Sequence, residues 1–242
     1  MSSPTSSVTG SRCVTVDTDD GVRLAGVVVH GFTGSIARPS FLRLAGWLRR
    51  FGEVRGSDAR GHGRSGGRSA VGGDPEVCDV AAARADGARA VVTVGMSLGG
   101  GVVLRQEEDP AAPHRSQARG GTLHRGRWYI RDTAPMRRVH WLLEAPLGRR
   151  VAARAFRSRL DVVDGAAGVA AGGRRPDRAH PAAVRHGDRD TNFPLEHLRA
   201  LVRAAGPTAT AWVVPGFGHA ESGATAPLVE RIGRRVSATI GP

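Results

Sequence analysis

Lysine is absent from this chain: all 35 basic residues are Arg. There are only two cysteines, Cys13 and Cys78, so neither a disulfide framework nor a Cys-rich metal site can be built. Such sparse cysteine suits a reducing compartment. Aromatic residues make up 5% of the 242, which leaves the core to Val, Leu and Ala. No run approaches the roughly 18 apolar residues of a membrane span. The first 12 residues, MSSPTSSVTGSR, are polar and precede no apolar stretch of the kind a secretion signal carries. Disorder is expected there. These absences together predict a cytoplasmic protein with no stable membrane insertion.

Acidic charge is also scarce, but only locally. The net charge is +13 and the pI is near 11.5. Residues 111–185 hold 16 Arg against five acids, a balance of +11. The rest of the chain holds 19 Arg against 17 acids, a balance of +2. Nucleic-acid binding normally interleaves such cations with aromatic stacking platforms, and those are nearly missing here. No nucleic-acid partner is expected. Arg without Lys, beside abundant Ala, Gly and Pro, also matches a GC-rich coding sequence.

What is present alternates between two periods. Residues 13–17 and 22–30 read as strands, and VVVH at 27–30 is the continuous apolar run of a parallel strand buried on both faces. Residues 38–50 place Phe41, Leu42, Leu44, Ala45 and Leu48 at helical spacing. A Gly- and Arg-rich loop is predicted over 56–74, a short helix over 76–88, a buried strand over 90–94 and a helix from 98 to 107. A helical pattern covers 128–156. The end reads as helix 194–205, strand 209–214, loop 215–223 and helix 225–238. Alternating strands and helices predict an α/β fold with a mostly parallel central sheet flanked by helices. Residues 13–242 are expected to form one such domain, with a cap or irregular insertion around 108–183.

Four segments carry the chemistry. In AVVTV-Gly95-Met96-Ser97-Leu98-Gly99-Gly100 a strand ends, a sharp turn presents Ser97, and a helix begins. A second G-x-S-x-G, Gly63-Arg64-Ser65-Gly66-Gly67, lies in a polar glycine loop with no strand before it, so Ser97 is the candidate nucleophile. In VVVHGFTGS, the turn His30-Gly31-Phe32 places a backbone N–H where an acyl oxyanion would form; with the Leu98 N–H it gives two donors. His30 itself reads as structural. In VRHGDRDTNFPLEHL a carboxylate follows a weak strand and precedes Pro194. Asp190 is preferred to Asp188 as the orienting acid because it falls further into the loop. In ATAWVVPGFGHAE, His219 follows a strand in a glycine loop and is the candidate base.

These segments resemble the α/β-hydrolase superfamily, especially bacterial esterases related to monoacylglycerol lipase and lysophospholipase. The resemblance rests on HGFTGS, on Asp58-Ala59-Arg60-Gly61-His62-Gly63-Arg64-Ser65, and on GMSLGG, HGDRD and GFGH. It implies a Ser97–Asp190–His219 triad in the order that superfamily uses, oxyanion amides at Phe32 and Leu98, and a structural Ser65. It implies cleavage of a small-molecule carboxylic ester, with no cofactor and no metal. Thioester cleavage or cofactor-free perhydrolysis by the same triad, or a non-catalytic relative, are the alternatives. The oligomeric state is left open.

Three features depart from that pattern. LAG runs directly into VVVHG without the usual turn. The strand expected near 115–125 reads EEDPAAPHRSQARGGTLHRG, almost without apolar residues. The strand before Asp190 is only AHPAAVRHG, and the 157–183 stretch ahead of it is rich in Arg, Ala and Gly. Each large apolar residue missing from a central strand forfeits roughly 1.5–3 kcal/mol. Two accounts fit residues 108–127 and 157–183: compensated reading-frame shifts in a GC-rich gene, or a basic cap inserted between two strands. The nucleotide sequence distinguishes them. The first account expects another frame to restore apolar strands there, and it fails if none does.

Overall fold

The computed structural model describes residues 13–16, 24–71, 74–84, 90–106, 131–161, 182–205, 207, 209–220 and 223–240. Six strands and seven α-helices are described: β1 (Cys13–Val16), β2 (Leu24–Val29), α1 (Pro39–Leu48), β3 (Glu53–Ser57), α2 (Asp74–Arg84), β4 (Ala90–Gly95), α3 (Leu98–Gln106), α4 (Ala134–Glu144), α5 (Pro146–Ala155), β5 (Ala182–Gly187), α6 (Leu195–Ala205), β6 (Ala209–Val214) and α7 (Ala226–Ile240). One sheet has the order β1-β3-β2-β4, with β1 antiparallel and the rest parallel. The other pairs β5 and β6 in parallel. Among the described residues no strand links β4 to β5. The strand expected near 115–125 lies outside them, as do the terminal segment 1–12 and residues 162–181 of the stretch 157–183.

β2 explains how the first sheet is covered. Alternate side chains of a strand point to opposite faces. Val28 faces Phe41, Leu44 and Ala45 of α1, Val54 of β3 and Val229 of α7. Val27 and Val29 face Val80 of α2 and Val102 and Val103 of α3. The apolar run VVV is therefore buried on both sides, as its lack of alternation predicts.

β3 departs from the sequence pattern, which predicts no strand between the helix at 38–50 and the loop at 56–74. Its EVRGS has one apolar side chain to bury, Val54. Gly56 supplies the rest by vacancy, because a Cβ there would lie 2.7 Å from the Phe41 ring. Arg55 is paired with Glu53 at 2.7 Å. The helical pattern of 128–156 is two helices, not one. Pro146 begins α5, and Ala145 before it is extended (φ −78°, ψ 135°), as a residue preceding proline prefers. Both helices pack through Leu142 and Ala152 against Val71 and Leu160, with Phe32 and Leu98 at the edge of the cluster.

The loop after β3 is held by buried polar groups. The Asp58 carboxylate accepts the Ile36 N–H at 2.8 Å and the Arg64 N–H at 2.9 Å. Ser65, fully buried, donates its hydroxyl to the Asp58 carbonyl at 2.6 Å, so it is structural as expected. The loop is bridged to residues 158–160 through His62–Ser158 and Ser69–Leu160. No described helix is long and apolar enough to cross a membrane.

His62, 1% exposed, is held neutral: burial, and then its neighbour His30, lower its pKa to about 4. His197 on α6 is lowered to about 4 as well, by burial and then by His186. The unfolded chain binds these protons near pH 6.5, but the folded chain only near 4. Their contribution is complete above pH 6.5 and falls as the pH drops through that window. His62 alone accounts for about 3 kcal/mol. Glu76, raised by burial, works in the opposite direction. Thermal unfolding followed from pH 7 to 4 should show a declining Tm, flattened in His62→Gln; a Tm constant across the window would contradict the assignment.

Candidate active site

Ser97 stands between β4 and α3 with φ at +52°, a left-handed conformation that a side-chain-bearing residue seldom adopts. The turn is possible because its neighbours have no side chains. A Cβ at Gly95 would lie 2.2 Å from the Gly99 carbonyl oxygen, and one at Gly99 would lie 2.4 Å from that of Val29. The turn is pinned to β2 by a hydrogen bond from the Met96 N–H to the Val29 carbonyl at 3.0 Å. The Ser97 side chain is left exposed at the top of the sheet.

His219 and Asp190 come from the other sheet. They follow β6 and β5, whose parallel pairing brings the two loops out side by side. Gly187 permits the close approach, since a Cβ there would lie 2.0 Å from the Phe217 carbonyl oxygen. The Arg189 N–H donates to that same carbonyl at 3.1 Å. His219 Nδ1 lies 2.8 Å from Asp190 Oδ2, and its Nε2 lies 3.0 Å from Ser97 Oγ. With Nδ1–H donating to Asp190, Nε2 presents its lone pair to the Ser97 hydroxyl. Asp190 Oδ1 accepts the N–H groups of Asn192 at 2.7 Å and Phe193 at 3.0 Å. Burial pushes the Asp190 carboxyl up, but hydrogen bonds from His219, Phe193 and Asn192 outweigh it and hold the group below its ordinary value. Asp188 plays a different part. Its Oδ1 accepts the Gly216 N–H at 2.7 Å and fixes the start of the histidine loop.

The His30–Phe32 turn runs beside the serine. A Cβ at Gly31 would lie 3.0 Å from Ser97 Cβ and 3.6 Å from Ser97 Oγ. His30 is buried; its Nδ1–H donates to the Gly31 carbonyl at 2.8 Å, and its Nε2 accepts the Ala59 N–H at 2.9 Å. It braces the turn against the loop after β3 and is structural, as its sequence context predicts. Neither the Phe32 nor the Leu98 N–H donates to a backbone acceptor among the described residues. No group of three or more His, Cys, Asp or Glu among those residues could hold a metal.

The sequence pattern does not reveal the support around Asp190 and His219. Phe193 contributes its amide to Asp190, and its ring lies 5.4 Å from that of His219, tilted by 32°. The same ring stacks on that of His197, with centroids 4.7 Å apart. His186 Nε2–H donates to the Phe193 carbonyl at 3.0 Å. The one signal for it in the sequence is the aromatic residue between Asp190 and Pro194, in DTNFP.

No protein-family model matches the sequence, and no curated protein matches it. Solved structures do match its fold. A Butyrivibrio proteoclasticus protein, Est1E, solved with ferulic acid bound, is 14% identical over 93% of each chain, with a TM-score of 0.57. An α/β serine hydrolase homologue of Coxiella burnetii is 17% identical, covers 95% of this chain and 93% of that one, and has a TM-score of 0.59. An esterase of Pyrococcus furiosus is 19% identical over 93% and 90%, with a TM-score of 0.58. The chain has the α/β-hydrolase fold.

The glycine contacts make a paired test of this turn. Gly99→Ala should cost about 3 kcal/mol or more, because two backbone segments would have to separate. Gly46→Ala, in α1 with open space around the position, should instead add about 0.5–1 kcal/mol. Urea unfolding of both variants measures this, and equal midpoints would contradict the packing described.

Proposed function

We propose that the chain is a serine hydrolase that cleaves carboxylic esters through an acyl-enzyme. The observation that carries this reading is the unbroken hydrogen-bond path from Asp190 through His219 to Ser97, at 2.8 and 3.0 Å. Three residues from two sheets meet there, with the paired contacts that acyl transfer by a serine uses. The esterases among the solved structures of this fold point the same way.

In the proposed cycle, Ser97 Oγ attacks the ester carbonyl carbon while His219 Nε2 takes its proton. Negative charge builds on the carbonyl oxygen, where the Phe32 and Leu98 N–H groups donate to it. Asp190 stays ionised, holds the imidazole in the tautomer that turns the Nε2 lone pair towards Ser97, and stabilises the imidazolium. The imidazolium returns the proton to the leaving alcohol as the carbon–oxygen bond breaks. Water, deprotonated by the same Nε2, then attacks the acyl-enzyme. It releases the acid and restores the serine. The cycle needs no cofactor, metal or nucleic acid. The substrate is a small-molecule ester, and Phe32 and Leu98, packed against α4 and α5, place apolar surface beside the reacting carbonyl.

Hydrolysis of a p-nitrophenyl acyl ester tests the reading. Ser97→Ala and His219→Ala should each lower kcat about ten-thousand-fold or more. A fluorophosphonate probe should label the wild-type chain and the Ser65→Ala variant, but not Ser97→Ala. Labelling that persists in Ser97→Ala would sink the assignment.

A further inference from the structure

Beneath the turn that carries Ser97, a cavity of about 20 Å³ opens between the ends of β2 and β3 and helices α2 and α3. Its size suits one water molecule and little more. Two of its lining side chains are almost fully buried and each has one unpartnered polar atom: His62 Nε2 and Glu76 Oε2. The rest of both groups is committed. His62 donates Nδ1–H to the Arg60 carbonyl at 3.1 Å, so Nε2 presents a lone pair. Glu76 Oε1 accepts the Ser69 hydroxyl at 2.8 Å and the Ala70 N–H at 2.7 Å. Asp79, on the same wall, gives both oxygens to Arg60 at 2.7 and 2.8 Å. The cavity therefore shows two bare acceptors and no spare donor among these groups. A buried acceptor left unmet is costly, because folding has stripped it of the water that satisfied it in the unfolded chain.

We propose that this cavity is a site for a single bound water molecule that donates one hydrogen bond to His62 Nε2 and the other to Glu76 Oε2. A molecule with two O–H donors matches two acceptors. The water would join α2, which carries Glu76, to the loop after β3. Through the His62 ring it would reach Phe32, whose ring meets it edge-on with centroids 6.3 Å apart. The turn that offers the Phe32 amide would then be braced from below at His62 as well as at His30. The proposal does not depend on the catalytic reading, since it concerns only the packing behind the turn.

A crystal structure of the whole chain tests it. One water should appear within hydrogen-bond reach of both His62 Nε2 and Glu76 Oε2. A parallel crystal soaked in rubidium chloride should show no anomalous signal there. Glu76→Gln should keep the water: Ser69 and Ala70 hold the amide oxygen in place, which turns the NH2 towards a water lone pair. His62→Phe should lose it, and oxygen-17 relaxation dispersion should count one fewer long-lived water in that variant than in wild type. A dry cavity, a rubidium peak, or a Glu76 carboxylate turned directly onto His62 would each overturn the proposal. Should His62→Phe not fold, the wild-type and Glu76→Gln crystals decide it.

Discussion

The hydrogen bonds from Asp190 to His219 to Ser97 join side chains borne on two different sheets, and most of the surrounding structure serves to keep those three groups within reach. Ser97 is fixed by a strained turn after β4, and Asp190 and His219 follow the paired strands β5 and β6. Nothing in the chain's local sequence forces these surfaces together. Each turn is possible because backbone meets backbone within its own sheet, at Gly95 and Gly99 beside Ser97 and at Gly187 beside the loop that carries His219, where any side chain would overlap a carbonyl group. The glycines remove obstacles, and the polar contacts supply direction.

Those polar contacts are layered. Asp190 is nearly buried, which would ordinarily disfavour its charge, yet two amides and one imidazole together hold it ionised. Behind the His30–Phe32 turn, His30 and Asp58 tie the loop after β3 to the segment that follows β2, and Ser65 closes that loop on the Asp58 carbonyl. Glu76 ties the far end of the loop to α2 through Ser69 and Ala70. Buried groups of this kind are costly unless satisfied, so each added partner both stabilises the loop and narrows the positions its amides can occupy.

Legibility in the sequence follows the density of apolar pattern. VVVH announces β2, and AVVTV announces β4. The glycine turn after each announces the residues that meet beside Ser97. β3 escapes because its face is completed by the Phe41 ring lying over Gly56, a contact between segments that no local pattern encodes. The split between α4 and α5 is written in Pro146, but apolar spacing on both sides of it masks the break. β5 reads as a poor strand because Arg185 occupies a position where an apolar side chain would be expected; in the fold its guanidinium lies 4.8 Å from the centre of the Trp212 ring on β6. Asp190 is separable from Asp188 by loop position alone. Its amide donors and the Phe193 ring are not visible, because they depend on how the chain curls back after the acid.

The central claim is that one imidazole is shared between a carboxylate on one side and a serine hydroxyl on the other. Proton NMR of the exchangeable Nδ1–H of His219 tests it most directly. A short bond to an ionised carboxylate deshields that proton strongly. A far-downfield resonance should appear in the folded wild-type chain, persist in Ser97→Ala and vanish in Asp190→Ala. A folded chain without that resonance, or one in which it survives removal of Asp190, would contradict the account.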